Sequence, residues 1–265
     1  MAHRFLPSLM LFAVVTLPAY ADEPSDTRLL AAISKGDLGA VEALLAAEPG
    51  LARATAPSGR SVVMAALFQI EREAFVPPAK NTILQALLAQ KPPLTFFEAC
   101  AVGDTGQVAR QLHEDPTLAT GWNDFGWSAL HLAAFSGVRE TVLLLIDHGA
   151  DVNARARTKF RNTPLQVALL PGQLSTSTVL LERGADPLAR QLHGVSPLME
   201  AALLGRRDLV ELLLEHGAEL NSRADDGRNA VTEALRGKHP ELAAYLKSRG
   251  GKTAELTADL ARPPE

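Results

Sequence analysis

The chain has 265 residues, 47% of them hydrophobic but only 5% aromatic, with 26 Lys and Arg against 30 Asp and Glu and one cysteine. That is enough apolar mass for a sizeable core, and a net charge of −4 argues against bulk nucleic-acid binding. Cys100 has no second cysteine to pair with, so the fold holds without an internal disulfide.

In chain order, residues 1–21 read differently from everything after them. Arg4 supplies a positive start, Leu6 to Leu17 an apolar run, and Ala19-Tyr20-Ala21 a small-x-small cleavage site. A membrane span needs roughly 20 apolar residues, and Pro18 closes this run too early. The segment reads as a secretory signal peptide. The mature chain is then expected to start at Asp22, to lose one positive charge with Arg4, and to be periplasmic or secreted.

Residues 27–55 predict a helix pair that caps the N-terminal side, with Ala32, Gly36, Val41, Leu44 and Leu45 in helical positions. A second pair spans 58–91, opening at Ser58 to Met64, interrupted by an insertion at 71–80 that contains Pro77-Pro78, and resuming at Ile83 to Leu88. The third pair, 94–122, follows Pro92-Pro93 almost directly and lacks a projecting turn. Cys100 falls there where other pairs place the second of two alanines, so it reads as a small buried packing residue.

From Asn123 the pattern becomes regular over 123–157, 158–190 and 191–223, and 224–252 closes it with Arg236, Lys238, His239 and Glu241 at outer positions, as a polar cap should. A tail covers 253–265. The element Gly149-Ala150-Asp151 recurs as Gly184-Ala185-Asp186, Gly217-Ala218-Glu219 and Gly250-Gly251, at spacings of 35, 33 and 33 residues. Ahead of each sits Ser128-Ala129-Leu130-His131, Thr163-Pro164-Leu165-Gln166, Ser196-Pro197-Leu198-Met199 or Asn229-Ala230-Val231-Thr232. In Thr163-Pro164 and Ser196-Pro197 a hydroxyl caps the first helix and the proline takes its first helical position, where no backbone donor is lost. Ala133-Ala134 and Ala201-Ala202 then let helices approach closely, a glycine ends the first helix, and residues such as Val210, Leu213 and Leu214 give the second an apolar face.

These two motifs, kept at one period near 33 residues, resemble the ankyrin repeat. The resemblance implies an all-α solenoid of stacked helix pairs with short projecting β-hairpin turns, forming one domain over 22–265. It also implies work by binding rather than catalysis. It places His131 as a hydrogen-bonding link between loops, and it assigns the concave face to the hairpin tips and the ends of the first helices. On that assignment Phe125, Trp127 and Phe135, then Phe160, Asn162 and Leu170, then His193, Val195, Leu203 and Leu204 form an apolar strip for a protein partner. Beside it, Arg155, Arg157, Lys159 and Arg161 place four positive charges in seven residues, extended by Arg190, Arg223 and Arg228. Such a ridge on an acidic chain would steer an acidic patch of the partner.

Catalytic signatures are missing: there is no G-x-S-x-G, no phosphate-binding G-x-x-x-x-G-K-[ST] and no H-E-x-x-H. His148 and His216 recur at one repeat position and read as scaffold. No cofactor and no metal is implied. The expectation is an exported, monomeric, non-catalytic ankyrin-repeat protein of bacterial type that binds a protein through the concave groove and hairpin tips of the repeats over 123–223. The rivals are an inhibitor or immunity-type protein that blocks a periplasmic enzyme, an effector secreted to act on host proteins, and, with least support, an enzyme using the insertion at 71–80.

Overall fold

A computed structural model describes residues 24–56, 58–68 and 78–253. The expected signal peptide, the core of the insertion and most of the tail lie outside the described residues. By contact the chain divides into two units, one up to Glu98 and one from Ala99.

The first unit holds α1 (Ser25–Lys35), α2 (Leu38–Ala47), α3 (Val62–Leu67) and α4 (Thr82–Ala89). α1 packs on α2 and α3, and α4 on α2 and α3, burying Leu29, Ile33, Val41, Leu45, Val63, Leu84 and Leu87 between them. Short polar side chains start the helices, as the N-terminal donors require. Asp37 accepts from the Ala40 N–H, Ser61 from that of Met64 and Asn81 from that of Leu84. Asn81 is itself buried, and its Nδ2 donates to the Ala66 carbonyl at 2.7 Å, which ties α4 to the end of α3.

The division falls inside α5 (Phe96–Val102), and the second unit continues with α6 (Thr105–Glu114), α7 (Ala129–Ser136), α8 (Arg139–Asp147), α9 (Pro164–Leu169) and α10 (Leu174–Glu182). α11 (Pro197–Leu203), α12 (Arg207–Glu215), α13 (Ala230–Arg236) and α14 (Pro240–Ser248) complete it. Two layers run through this unit. The first helices α7, α9, α11 and α13 pack in series, while α6, α8, α10 and α12 do the same beside them. A helix flanked by neighbours in its own layer and by its pair-mate has little surface left, and every residue of α7 and α9 is buried. That geometry demands small side chains at the crossings. Ala133, Ala134, Ala168, Ala201 and Ala202 supply them, each fully buried.

Sequence and structure agree on the ends of these helices. Ser128, Thr163, Ser196 and Asn229 cap α7, α9, α11 and α13 by accepting from the N–H three residues on. Gly137 ends α7 in the left-handed region at φ 78°, a conformation that favours glycine, with the Gln173 side chain packed against it. Asn153 shows why an asparagine follows Gly-Ala-Asp: its Nδ2 donates to the Gly184 carbonyl at 3.0 Å and its Oδ1 accepts the Asp186 N–H at 2.8 Å. Asn221 makes the same pair of bonds to Gly250 and Lys252. Cys100 is buried, and burial pushes its thiol well above the ordinary range.

The projecting turns contain no strands among the described residues, only isolated bridges such as Trp122 to Ser128. Backbone bonds join each turn to the next instead. Arg157 donates to the Gly126 carbonyl at 2.8 Å, Leu192 to that of Phe160 at 3.0 Å and Asp225 to that of His193 at 3.0 Å.

Candidate functional site

The turns of the second unit carry the residues expected to bind, and the structure separates them into three groups. Arg155, Arg157, Arg161 and His193 are exposed, Phe125, Phe160 and Leu203 are half-buried, and Trp127, Phe135 and Leu170 are buried at 3%, 2% and 6% exposure. Asn162 of the expected strip is buried as well, so Trp127, Phe135, Asn162 and Leu170 offer no binding surface, while Val195 and Leu204 stay half-buried with Phe125, Phe160 and Leu203. Trp127 is buried with its indole edge-on to the His131 ring at 5.6 Å, and Trp122 lies tilted to that same ring at 5.9 Å. Phe135 is covered because α7 is packed by α8, α9 and the 3-10 turn at Pro116–Thr120. Leu170 directly follows α9, whose residues are all buried.

What the turns do present is positive charge. The Arg157 guanidinium lies 4.3 Å from the centre of the Trp122 ring, and the Lys159 ammonium 5.0 Å from that of Phe160. The aromatics serve as floors under the cations, at about 0.5–1 kcal/mol per exposed contact. Arg155 donates through Nη1 to the Arg190 carbonyl. Arg228, expected to extend the ridge, does not: it pairs with Asp226 and with Glu233, the latter at 2.7 Å, so its charge is spent inside the last repeat.

Arg161 stands at the turn position that Gly126, Gly194 and Gly227 hold in the other repeats, and it adopts their left-handed backbone at φ 56°. An L side chain costs roughly 1–2 kcal/mol in that region. Replacing Arg161 with glycine is accordingly expected to raise stability by about 1 kcal/mol. Denaturant titration checks this, and a destabilised variant would show that the side chain itself supports the turn.

Beneath the turns runs a polar chain, buried except at the half-buried Gln191, that the residue pattern did not announce. His131 Nε2 donates to the Asn162 carbonyl at 2.9 Å, Asn162 Nδ2 donates to Gln191 Oε1, and Gln191 Nε2 donates to Glu200 Oε1 at 2.6 Å. Three successive repeats are linked by it. Burial pushes the Glu200 carboxyl well above the ordinary carboxylate range, opposed by the Gln191 bond, and Glu200 Oε2 has no hydrogen-bond partner among the described residues. Burial likewise holds the His131 imidazole down at about 4, against its bond to Asn162. His148 and His216 are exposed and bond back to the Leu144 and Leu212 carbonyls at 2.8 and 2.9 Å. No group of three or more His, Cys, Asp or Glu side chains is placed to hold a metal among the described residues.

The family model described as ankyrin repeats in three copies matches residues 96–191 and again 188–257, more than half of the chain. The chain belongs to the ankyrin-repeat family. A transient receptor potential cation channel subfamily A member 1 homolog of Caenorhabditis elegans is 33% identical over 166 residues, 62% of this chain and 14% of that protein. Protein phosphatase 1 regulatory subunit 27 of Mus musculus is 34% identical over 91 residues, 34% of this chain and 58% of that one. A probable E3 ubiquitin-protein ligase, XBOS31, of Oryza sativa subsp. japonica is 35% identical over 96 residues, 35% of this chain and 21% of the ligase. The matches thus span less than two thirds of each of these relatives. What they share with this chain is the ankyrin-repeat array, a fold that typically mediates protein–protein interaction and is generally non-catalytic.

No helix among the described residues is long and apolar enough to cross a membrane. On the second-helix side of the array three arginines are paired, Arg183 with Asp147 at 2.6 Å, Arg206 with Asp208 at 2.7 Å and Arg207 with Glu211 at 2.9 Å, while Arg139 of α8 is exposed with no ion-pair partner among the described residues. On the turns, Arg155, Arg157, Lys159, Arg161, Arg190 and Arg223 are exposed and have no ion-pair partner among the described residues.

Proposed function

We propose that this ankyrin-repeat protein is an exported, non-catalytic binding module that recognises an acidic surface of a protein partner through its turns between Asn123 and Arg223. The observation that carries this reading is the run of exposed cations on successive turns, Arg155, Arg157, Lys159, Arg161, Arg190 and Arg223, with no ion-pair partner among the described residues. Charge of this kind acts mainly on encounter rate and specificity. The name of the phosphatase regulatory subunit among the relatives is in keeping with a binding role.

The test is association kinetics with the partner captured by the mature chain. Neutralising Arg157 and Arg161 to glutamine is expected to slow association about tenfold at low salt and to flatten its salt dependence, since rim charges steer and are screened. Arg183→Gln and Arg207→Gln on the helix side serve as controls. Normal binding by the turn variants together with loss of binding by the helix-side variants would overturn the reading.

Export rests on Ala19-Tyr20-Ala21 after the apolar run, with the periplasm or the medium as destination and a monomer as the working form. Mass spectrometry of the protein from its native host is expected to find Asp22 at the N-terminus. A chain retaining Leu6 to Leu17 in the membrane fraction would sink that part of the proposal.

A further inference from the structure

Arg155, Arg190 and Arg223 occupy one position of the repeat. Each follows by four residues the acid that opens its turn, Asp151, Asp186 or Glu219. The backbone is the same in all three. The residue before each arginine donates to the carbonyl of that acid, Ala154 at 3.1 Å, Ala189 at 3.2 Å and Ser222 at 3.2 Å. All three arginines are exposed, and none has an ion-pair partner among the described residues. Arg155 spends one of its five donors on the Arg190 carbonyl, which ties its stem to the next turn and leaves the rest of the fork for a ligand.

A set of identical groups at one position of successive repeats is a ruler. Packed helices lie about 8–10 Å apart, and α7, α9, α11 and α13 pack in series, so the arginines recur at about that interval. In a polyproline-II segment, which has three residues per turn and a rise of 3.1 Å, side chains three residues apart fall on one side at intervals of about 9 Å. We propose that Arg155, Arg190 and Arg223 read an extended acidic polypeptide segment laid across the turns, one carboxylate per repeat, with the carboxylates three residues apart. This rests on the binding reading above and adds the chemistry and spacing of the partner.

The acids in the same turns decide between a peptide and a nucleic acid. Asp151, Asp186 and Glu219 are exposed and alternate along the chain with the three arginines. Asp151 and Asp186 are held by the N–H groups of Asn153 and Leu188, so they stay in place as negative charges. A phosphodiester strand, charged at every unit, would meet them. A peptide with neutral residues between its carboxylates would not, and carboxylate is the group that the arginine fork matches.

The experiment titrates the mature chain by NMR with two synthetic peptides of identical composition in a proline- and glutamine-rich background. One carries three glutamates at i, i+3 and i+6, and the other carries them contiguously. An exposed pair is worth about 0.2–1 kcal/mol. The spaced peptide, which engages three pairs, is therefore expected to bind about tenfold more tightly than its isomer. Arg155→Gln, Arg190→Gln and Arg223→Gln are each expected to weaken the spaced peptide about three- to fivefold. Circular dichroism confirms that the variants remain folded. Equal affinity for the two isomers, indifference to Arg190→Gln, or tighter binding of an oligothymidylate than of the spaced peptide overturns the proposal. If the isomers are equal while Arg157→Gln and Arg161→Gln still slow a captured partner, the ladder falls and the binding reading stands; if no turn substitution affects that partner, the binding reading itself falls.

Discussion

Phe135→Ala is expected to cost about 3–5 kcal/mol of stability, the range for deleting a fully buried aromatic ring. At a site that faced a groove, the same change would weaken a partner and leave the fold intact. At 2% exposure in a helix whose every residue is buried, the ring instead fills space that α8 and α9 cannot close. The small residues around it, Ala133 and Ala134, set how near the helices stand and give no side chain that could move into the hole. The loss should also spread, because each repeat in such an array is stabilised largely by its neighbours. Denaturant titration of the second unit's helices is the measurement. A loss below about 1 kcal/mol, nearer the value for surface positions, would return Phe135 to the surface.

The helix pairs were legible because their signals are local and repeat. Ser128, Thr163, Ser196 and Asn229 each cap a helix, and Gly137, Gly172 and Gly205 each take a left-handed backbone after one. Those features follow from backbone chemistry that any single repeat must satisfy. The site was legible only in its charges. Arg155, Arg157 and Arg161 had to lie outside, since an unpaired cation is too costly to bury, whereas an aromatic residue is content on either side. Whether Trp127 is covered depends on how closely the adjoining turns pack, and one repeat read alone does not contain its neighbour. The polar chain from His131 to Glu200 was missed for a related reason: Gln191 and Asn162 look solvated in a turn. One signal was present. Glu200 and Glu233 stand four residues after their caps, where the two preceding repeats hold Leu132 and Val167, so carboxyls take a core position of the period.

Acidification below pH 6.5 is expected to destabilise the second unit through His131, and the sign follows from its bonds. The Asn162 carbonyl can only accept, so Nε2 carries the hydrogen of the neutral ring, and Nδ1 is left to accept from the Ser128 hydroxyl at 2.7 Å. A second ring proton would point at that oxygen, which already accepts the His131 N–H. Burial outweighs the opposing bond to Asn162 and the nearby charge of Asp151, and leaves the folded ring titrating at about 4. Between 6.5 and that value the unfolded chain takes up a proton that the folded chain refuses, so stability is full above pH 6.5 and falls as the pH drops towards 4. At 1.36 kcal/mol per unit, the loss attributable to this one ring approaches roughly 3 kcal/mol. Carboxylates protonate over the same interval, so the measurement is a difference: stability against pH for the wild type and for His131→Gln, the residue that Gln166 places at this position in the next repeat. The variant is expected to lose less on acidification. Glu200 supplies the opposite slope, because its raised folded value means the folded chain holds a proton that the unfolded chain releases, and stability drains as the pH rises above the ordinary carboxyl range. Parallel curves for wild type and His131→Gln from neutral pH down to 4 would show that the ring reaches solvent before it titrates.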